Sequence, residues 1–296
     1  MFDQLRAFHR PSTVATALRL FESERRAGGR GTFVAGGTDL VVQGDRSLRY
    51  LVDLTRLPLR YVKRRGRGWA IGATATMADL EHSAALRGFA DGVVADAAGT
   101  AGSPQIRNMG TVGGNLANAS PACDLGPPLL ALDAAVVIAG ARGRRTVPLD
   151  RFFRGVHRTV LNGGLLVEVV LPAPPALPGG RAAFAFQKLG RLESDIAVVN
   201  AAAGVAVDKA GRCRWARIAL GAVGPTPLRA RKAEALLAGK PLDAAALEAA
   251  AAQAAAEAKP VSDVRATAAY RREMCRVLVA RALAECVARL AQGRKR

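Results

Sequence analysis

The sequence predicts an α+β protein with an N-terminal α/β domain and a C-terminal domain built from a three-stranded antiparallel sheet and helices. Three observations support this fold class. Helical and strand-like patterns alternate over residues 1–57, which is typical of a compact α/β unit. Three apolar segments follow one another between residues 182 and 223 without a helical pattern between them, as antiparallel strands do. Residues 172–180, rich in proline and glycine, separate the two regions.

These patterns divide the chain at residue 176, into domains 1–176 (subdomains 1–57 and 58–176) and 177–296. The first helix begins after Pro11, with Ser12 or Thr13 as its N-cap. In the first domain the other predicted elements are strands at 32–35, 50–54, 69–73, 134–139, 144–147 and 165–171, and helices at 76–86, 91–100 and 125–132. In the second domain they are strands at 182–188, 196–207 and 213–223, and helices at 230–238, 243–258 and 264–291.

Two glycine-rich segments are the candidate ligand sites. The first is Gly36-Gly37-Thr38-Asp39, which follows a strand and begins a helix, with Thr38 or Asp39 as the expected N-cap. Amide groups at such a turn attract an anion because the helix dipole reinforces them. The second is the long segment 106–124, which we predict to be a loop. Its Thr111-Val112-Gly113-Gly114-Asn115 offers closely spaced amides that suit a phosphate, so the two segments together suggest a diphosphate ligand.

The charge and cysteine pattern exclude several functional classes. The net charge is +19, but the arginines are scattered and aromatic residues make up only 5% of the chain, so we predict no nucleic-acid partner. The four cysteines are far apart, which argues against a zinc site or an iron–sulfur cluster on this chain. Neither a signal peptide nor a membrane span is evident, and we expect a cytoplasmic protein. The three histidines belong to no recognisable catalytic motif, so no catalytic side chain is predicted.

The glycine-rich motifs, together with Ser120-Pro121-Ala122-Cys123-Asp124 and the segment 186–197, resemble the FAD-binding medium subunit of the molybdenum hydroxylases. Xanthine, carbon monoxide and nicotinate dehydrogenases belong to this family. The resemblance covers nearly the whole chain and implies a PCMH-type FAD-binding domain. It also implies that FAD lies between the two domains and supplies the redox chemistry itself.

The family's cofactor contacts can be carried over only to matching positions. Residues 34–41 would enclose the FAD diphosphate, and residues 111–115 would complete that cradle. Asp124 would accept hydrogen bonds from ribose or ribityl hydroxyls. The backbone at Leu166 would touch the isoalloxazine or the adenine side of the cofactor, and Lys188 would stabilise negative charge on the reduced flavin ring. The complete implied set is Val34, Ala35, Gly36, Gly37, Thr38, Asp39, Leu40, Val41, Thr111, Val112, Gly113, Gly114, Asn115, Asp124, Leu166 and Lys188.

The resemblance further implies an electron-transfer role within a larger complex. Molybdopterin would be bound by a large subunit and two [2Fe–2S] clusters by a small subunit, in a dimer of heterotrimers. Electrons would pass from the clusters through FAD to NAD or another acceptor. Thr38-Asp39 stands where carbon monoxide dehydrogenases tend to have His-Ser, which favours a xanthine, N-heterocycle or aldehyde dehydrogenase. Two alternatives remain: a free-standing flavoprotein oxidoreductase, and a non-catalytic basic binding module.

Overall fold

The computed structural model describes residues 3–175 and 177–292. Its first unit is a parallel three-stranded sheet of strands β1 (Ala7–His9), β2 (Gly31–Val34) and β3 (Tyr50–Asp53), with β3 in the centre. Helix α1 (Val14–Arg26) connects β1 to β2, and helix α2 (Thr38–Gln43) connects β2 to β3. The sequence did not predict β1, because three residues are too few for a recognisable alternation.

Side-chain packing explains this arrangement. Thr13, one of the two N-cap candidates predicted from the sequence, is the N-cap of α1. Its hydroxyl accepts a hydrogen bond from the Thr16 amide at 3.1 Å. Phe21 of α1 stacks on Phe33 of β2 with ring centroids 4.4 Å apart. Tyr50 is buried beneath both, and its hydroxyl donates to the Phe21 carbonyl. These aromatic contacts attach α1 to the sheet.

The second unit is a five-stranded antiparallel sheet with the strand order β4-β5-β10-β6-β7. Its strands are β4 (Val62–Arg65), β5 (Gly68–Gly72), β6 (Ala135–Gly140), β7 (Gly143–Pro148) and, after the small hairpin β8 (Phe153–Gly155) and β9 (Arg158–Thr159), β10 (Leu165–Leu171). One face packs against the first unit through Val137, Ala139, Leu165 and Val167. The opposite face is covered by helices.

Six short helices form that cover, namely α3 (Met77–Glu81), α4 (Ala84–Arg87), α5 (Val93–Gly99), α6 (Pro104–Met109), α7 (Val112–Asn118) and α8 (Gly126–Ala131). The single helix predicted over residues 76–86 is wrong. Thr76 does cap α3, in a capping box with Asp79, but α3 ends at Glu81 and Ser83 caps a separate helix α4. Ser83 satisfies the first amides of a new helix, which interrupts the old one.

The third unit is an antiparallel sheet of four strands, β11 (Arg181–Leu189), β12 (Val199–Val207), β13 (Cys213–Gly221) and β14 (Leu228–Arg229), in that order. The three predicted strands are present, but the predicted strand number is wrong because β14 adds a fourth. β14 has only two residues and follows Pro227, so no periodicity could reveal it. Helices α9 (Arg231–Leu237), α10 (Ala244–Glu257) and α11 (Ala268–Gln292) complete the chain.

The third unit is buried on both faces. Ala201, Ala203 and Val205 of β12 belong to the apolar core shared with α10 and α11. The alternate residue Ala202, with Ala219 of β13 and Phe184 of β11, belongs to the core of the helical layer of the second unit. The predicted domain division falls at residue 176, which lies outside the described residues, as does the basic tail 293–296.

Two classes of feature are missing from the described parts of the chain. Over residues 3–175 and 177–292, no helix has the length and apolar character needed to span a bilayer. Within the same ranges, no group of three or more histidine, cysteine or acidic side chains is arranged to hold a metal ion.

Candidate functional site

The two glycine-rich segments predicted from the sequence touch each other. Gly36 lies between β2 and α2, and its α-carbon faces the backbone of Met109 and Gly110 at the end of α6. A Cβ atom at position 36 would lie 1.9 Å from the Met109 carbonyl oxygen. Only glycine therefore allows the two backbones to approach so closely. The contact brings the start of α2 beside the junction between α6 and α7.

The start of α2 presents free amide groups. Gly37, not the predicted Thr38 or Asp39, is the N-cap, with a left-handed φ of 69° and no side-chain capping bond. The first bond of this helix runs from the Val41 amide to the Gly37 carbonyl at 2.9 Å. Within the described ranges, the amides of residues 38–40 have no hydrogen-bond acceptor. Such amides, with the helix dipole behind them, attract an anion.

The loop predicted over residues 106–124 is wrong for its first part, which is helical. Ser103 caps α6 and Pro104 occupies its first turn, while Thr111 caps α7 through a hydrogen bond from the Gly114 amide at 3.0 Å. The glycines suggested a loop, but Gly113 is required inside the helix. A Cβ there would lie 2.6 Å from the Ala73 carbonyl oxygen.

The amides of the second segment are occupied, contrary to the expectation that they are free for a phosphate. Val112 donates to the Ala75 carbonyl at 3.0 Å, and Gly113 donates to the Ala73 carbonyl at 2.9 Å. Gly114 and Asn115 donate to the Thr111 hydroxyl and carbonyl. A ligand contact from this segment therefore depends on side chains or on the Thr111 amide.

Two buried polar atoms near α7 have no partner within the described residues. They are the Thr74 hydroxyl oxygen, two residues after the end of β5, and the Asn115 side-chain carbonyl oxygen. Buried polar atoms are normally hydrogen-bonded, and an orphan suggests a missing ligand or water. These atoms, the free amides of α2 and the close approach at Gly36 together fit a dinucleotide cofactor with a diphosphate.

A buried charged cluster lies beside the end of α5, where Thr100 is the C-cap. The Lys188 ammonium is 3.0 Å from an Asp124 carboxylate oxygen and donates to the Thr100 carbonyl at 2.7 Å. The other Asp124 oxygen accepts from the Asn200 side chain at 3.1 Å. Burial raises the pKa of the Asp124 carboxyl, and the charge of Lys188 opposes that rise. The carboxylate retains lone pairs that can accept further hydrogen bonds.

Asn200 was missed by the sequence analysis. It is fully buried in β12, where the other residues are alanine, glycine and valine. A single amide in an otherwise apolar buried strand is the signal that could have identified it, because a buried polar group needs a partner. Asp124 is that partner.

Leu166 lies next to the second glycine-rich segment, although its side chain is buried in the sheet. It pairs with Ile138 in the interior of β10. The neighbouring Val167 carbonyl accepts from the Ala73 amide at 3.1 Å, and the Ala73 carbonyl accepts from Gly113. A short series of backbone hydrogen bonds thus connects the Leu166 region to α7.

The remaining candidates surround the same place. Val34 ends β2 and Ala35 follows it, while Asp39 and Val41 are exposed on α2. The far ends of α2 and α7 are joined by a 2.9 Å hydrogen bond from Gln43 to Asn118. The His157 ring in turn donates through Nδ1 to the Asn118 backbone carbonyl at 2.8 Å. Cys123 is buried, and burial raises the pKa of its thiol to about 12, which keeps it as an unreactive thiol.

Comparison with known proteins completes the description of the site. The sequence profile of the FAD binding domain in molybdopterin dehydrogenase matches residues 2–174, and that of the CO dehydrogenase flavoprotein C-terminal domain matches residues 184–286. The chain is 37% identical to the nicotinate dehydrogenase FAD-subunit of Eubacterium barkeri over 73% of its length and 74% of that protein. It is 32% identical to the putative xanthine dehydrogenase FAD-binding subunit of Escherichia coli, over 97% and 98% of the two chains.

A solved structure has the same fold. A chain of carbon monoxide dehydrogenase from Hydrogenophaga pseudoflava, in a form that lacks the Mo-pyranopterin moiety of the molybdenum cofactor, superimposes with a TM-score of 0.90. The sequences are 34% identical, and the match covers 98% of this chain and all of the other. The structural match therefore extends over both profile-matched regions.

Proposed function

The chain belongs to the FAD-binding medium subunits of the molybdenum hydroxylases, and from this premise we propose that it is the electron-relay subunit of such a dehydrogenase. Its FAD would take electrons from the [2Fe–2S] clusters of a small subunit and transfer them to NAD or another acceptor. The observation that carries the proposal is the contact of Gly36 with Met109, beside three free amides on α2. That arrangement supports a diphosphate cradle.

The proposed roles follow from what each side chain has available. Amides of residues 37–40 would bind the diphosphate. The side-chain oxygen of Asn115, which has no partner among the described residues, would accept a hydrogen bond from a ligand hydroxyl. Asp124 would accept from ribose or ribityl hydroxyls with the lone pairs that Lys188 and Asn200 leave free. Lys188 would hold positive charge beside the ring and stabilise its reduced, anionic form. FAD supplies the redox chemistry when it is bound.

Exposed apolar side chains beside the cradle support a role within a complex. Val42 on α2 is 84% exposed and Met109 on α6 is 58% exposed, and Ile106 and Val41 are exposed near them. The contact of Gly36 with Met109 brings these two helices together, so the apolar residues form one surface. Such surfaces mark sites of protein association. We propose that a molybdenum-cofactor large subunit and a [2Fe–2S] small subunit complete the assembly, as a dimer of heterotrimers.

The proposal also covers the substrate class of the complex and the cellular location of the protein. Thr38-Asp39 favours a xanthine, N-heterocycle or aldehyde dehydrogenase over a carbon monoxide dehydrogenase. The similarity to a nicotinate dehydrogenase subunit supports an N-heterocyclic substrate for the complex. A cytoplasmic location is supported by four buried free cysteines, because thiols persist in reducing compartments. We also propose 1–176 and 177–296 as the two domains.

The test is the visible spectrum of the purified full-length chain, with the released flavin identified by chromatography. We expect flavin absorption bands and release of FAD at about one equivalent per chain. A colourless protein that gains no flavin on incubation with FAD would overturn the proposal. If the FAD-loaded chain oxidised an organic substrate without partner subunits, the free-standing oxidoreductase would replace the relay subunit.

A further inference from the structure

A buried arginine is bonded to the ends of the strands that lead to Lys188 and Asn200. Arg271, in the first turn of α11, is only 3% exposed. It is not among the cofactor contacts that the family resemblance implies. A buried guanidinium group is costly unless it is paired and hydrogen-bonded, so its hydrogen bonds indicate what it holds in place.

The Arg271 side chain joins three segments of the chain. Its Nη1 donates to the Val198 carbonyl at 2.6 Å and to the Ala222 carbonyl at 3.3 Å. Its Nη2 donates to the Asp263 carboxylate at 2.7 Å. A planar guanidinium has donors that point in several fixed directions, whereas the ammonium of lysine is a compact point charge. Arg271 is therefore suited to hold two strand ends in one arrangement.

Val198 and Ala222 lie at the end of one row of paired residues in the third sheet. In that row Lys188 of β11 pairs with Asn200 of β12, and Asn200 pairs with Gly221 of β13. Val198 comes directly before β12, and Ala222 comes directly after β13. The Val198 amide also donates to the carbonyl of the last residue of β11 at 2.7 Å. The guanidinium thus ties the strands together beside the row that contains Lys188 and Asn200.

The same bonds reach the segment that contains Asp124. The Ala222 amide donates to the Pro121 carbonyl at 2.7 Å, and Pro121 lies three residues before Asp124. Ala222 has a φ of 61°, an uncommon value for a residue with a side chain, and hydrogen bonds at its amide and its carbonyl hold it there. A Cβ at Gly221 would lie 2.1 Å from the Asn200 side-chain oxygen, so the row packs closely. Arg271 therefore bears on both sides of the contact between Asp124 and Asn200.

Asp263 holds the guanidinium from its other side. The Oδ1 atom of Asp263 accepts from the amides of Arg265 at 2.8 Å and Ala266 at 3.3 Å, as well as from Arg271. The Nε atom of Arg271 has no hydrogen-bond partner among residues 3–175 and 177–292. The two Arg271 bonds to strand carbonyls are made by Nη1 and do not involve Asp263. A variant of Asp263 can therefore separate the stability of the loop from the position of the strands.

We propose that Arg271 is a positioning residue for the flavin, which holds the row of Lys188, Asn200 and Gly221 against Asp124 and thereby keeps the Lys188 ammonium beside the ring. The proposal rests on the proposed function, because Arg271 acts through Lys188. The attraction between an ammonium group and a reduced, anionic ring decreases with their separation. A looser row therefore weakens the binding of reduced flavin more than that of oxidised flavin.

The test compares the two-electron midpoint potential of the flavin in the FAD-loaded wild type, R271K and D263N. R271K keeps the buried positive charge but cannot bridge both strand carbonyls. We expect the reduced flavin to lose about tenfold or more in affinity relative to the oxidised flavin, which lowers the potential by about 30 mV. D263N is the matched control, because it should lose stability without a change in potential while the bonds from Arg271 to the strands remain.

Two further measurements test the route of the effect. Adding R271K to the double variant D124N/K188M should leave the potential unchanged, because the group through which Arg271 acts is already gone. In the chain without flavin, hydrogen exchange of the Ala222 amide should be faster in R271K than in the wild type or D263N. This second readout requires no cofactor.

Each outcome has a distinct meaning. Equal potentials in the FAD-loaded wild type and R271K would overturn the role of Arg271 and leave the proposed function intact. Equal shifts in R271K and D263N would assign the effect to general stability and would also overturn it. A chain that binds no FAD would overturn the proposed function and the flavin role together, and the exchange of the Ala222 amide would still show whether Arg271 holds the strand ends.

Discussion

The Lys188 ammonium lies 3.0 Å from the Asp124 carboxylate, and both side chains are about nine-tenths buried. Lys188 belongs to β11 and Asp124 to the segment after α7, so the ion pair joins the two proposed domains. Because an unpaired buried charge is costly, the pair makes the relative position of these segments a condition of stability. It also keeps a carboxylate acceptor where the cofactor is proposed to lie.

Replacing Lys188 by methionine should destabilise the protein by about 3–5 kcal/mol at pH 7, the usual cost of breaking a buried pair. Asp124 has a raised pKa when folded, and it should rise further without Lys188. When the pKa of a carboxyl is higher in the folded than in the unfolded protein, the stability is fully present below the pKa of the unfolded state. It is lost as the pH increases through the pKa of the folded state. Urea unfolding should therefore show that the free energy of unfolding of K188M falls increasingly below that of the wild type from pH 4 upwards.

The control for this prediction is the double variant D124N/K188M. The amide removes the buried charge, so most of the lost stability should return and the added pH dependence should disappear. Equal stability of K188M at pH 4 and pH 7 would contradict the assignment of the loss to an unpaired Asp124.

Substitution of Gly36 by alanine should separate the two segments of the cradle. The new Cβ would lie 1.9 Å from the Met109 carbonyl oxygen, so one backbone must move. We expect at least tenfold weaker FAD retention and a lower melting temperature. Gly140 is the matched control, because a Cβ there meets no atom of residues 3–175 and 177–292 within 4 Å and its φ is not in the left-handed region. G140A should retain FAD as the wild type does, measured by flavin absorbance after gel filtration.

The sequence predicted much of the fold, and the reasons for its failures are physical. Long buried strands such as β12 and β13 have clear apolar patterns, and the N-cap Thr13 has a recognisable side chain. The helical state of α7 was missed because Gly113 and Gly114 suggest a loop, whereas the packing of Gly113 against Ala73 is a tertiary effect. The occupied amides of α7 and the bond from Asn200 to Asp124 depend on distant segments, which no local pattern reveals.

Thr111 caps α7, so its replacement by valine should cost about 1 kcal/mol, the usual value for losing an N-cap bond. The hydroxyl accepts from the Gly114 amide at 3.0 Å and is buried, so its loss leaves that amide without an acceptor. Thr111→Ser retains the hydroxyl and should restore most of the stability. Chemical unfolding of the three proteins measures this. A loss in T111S as large as that in T111V would contradict the capping role, because serine keeps the hydroxyl and lacks only the methyl group that valine retains.

Asp263 should stabilise the folded protein only while its carboxylate is ionised, because this carboxylate anchors the loop before α11. It accepts from the Arg265 amide at 2.8 Å and from the buried Arg271 side chain at 2.7 Å. The hydrogen bond from the Arg265 backbone amide is the largest cause that lowers the pKa of Asp263 to about 2, and the hydrogen bond from the Arg271 side chain adds to it. A lowered carboxyl pKa gives stability that is present above the unfolded value, about 4, and is lost as pH falls through about 2.

We therefore expect D263N to have a lower urea midpoint than the wild type at pH 7, and a difference that decreases steadily below pH 4. Arg271 is buried and donates to the carbonyls of Val198 and Ala222 as well, so it should stay in place in the variant. The matched control is D208N, which alters another loop carboxylate that accepts from a backbone amide but, among the described residues, contacts no buried arginine. A D263N difference that is constant from pH 2 to pH 7 would contradict the anchoring role of the ionised carboxylate.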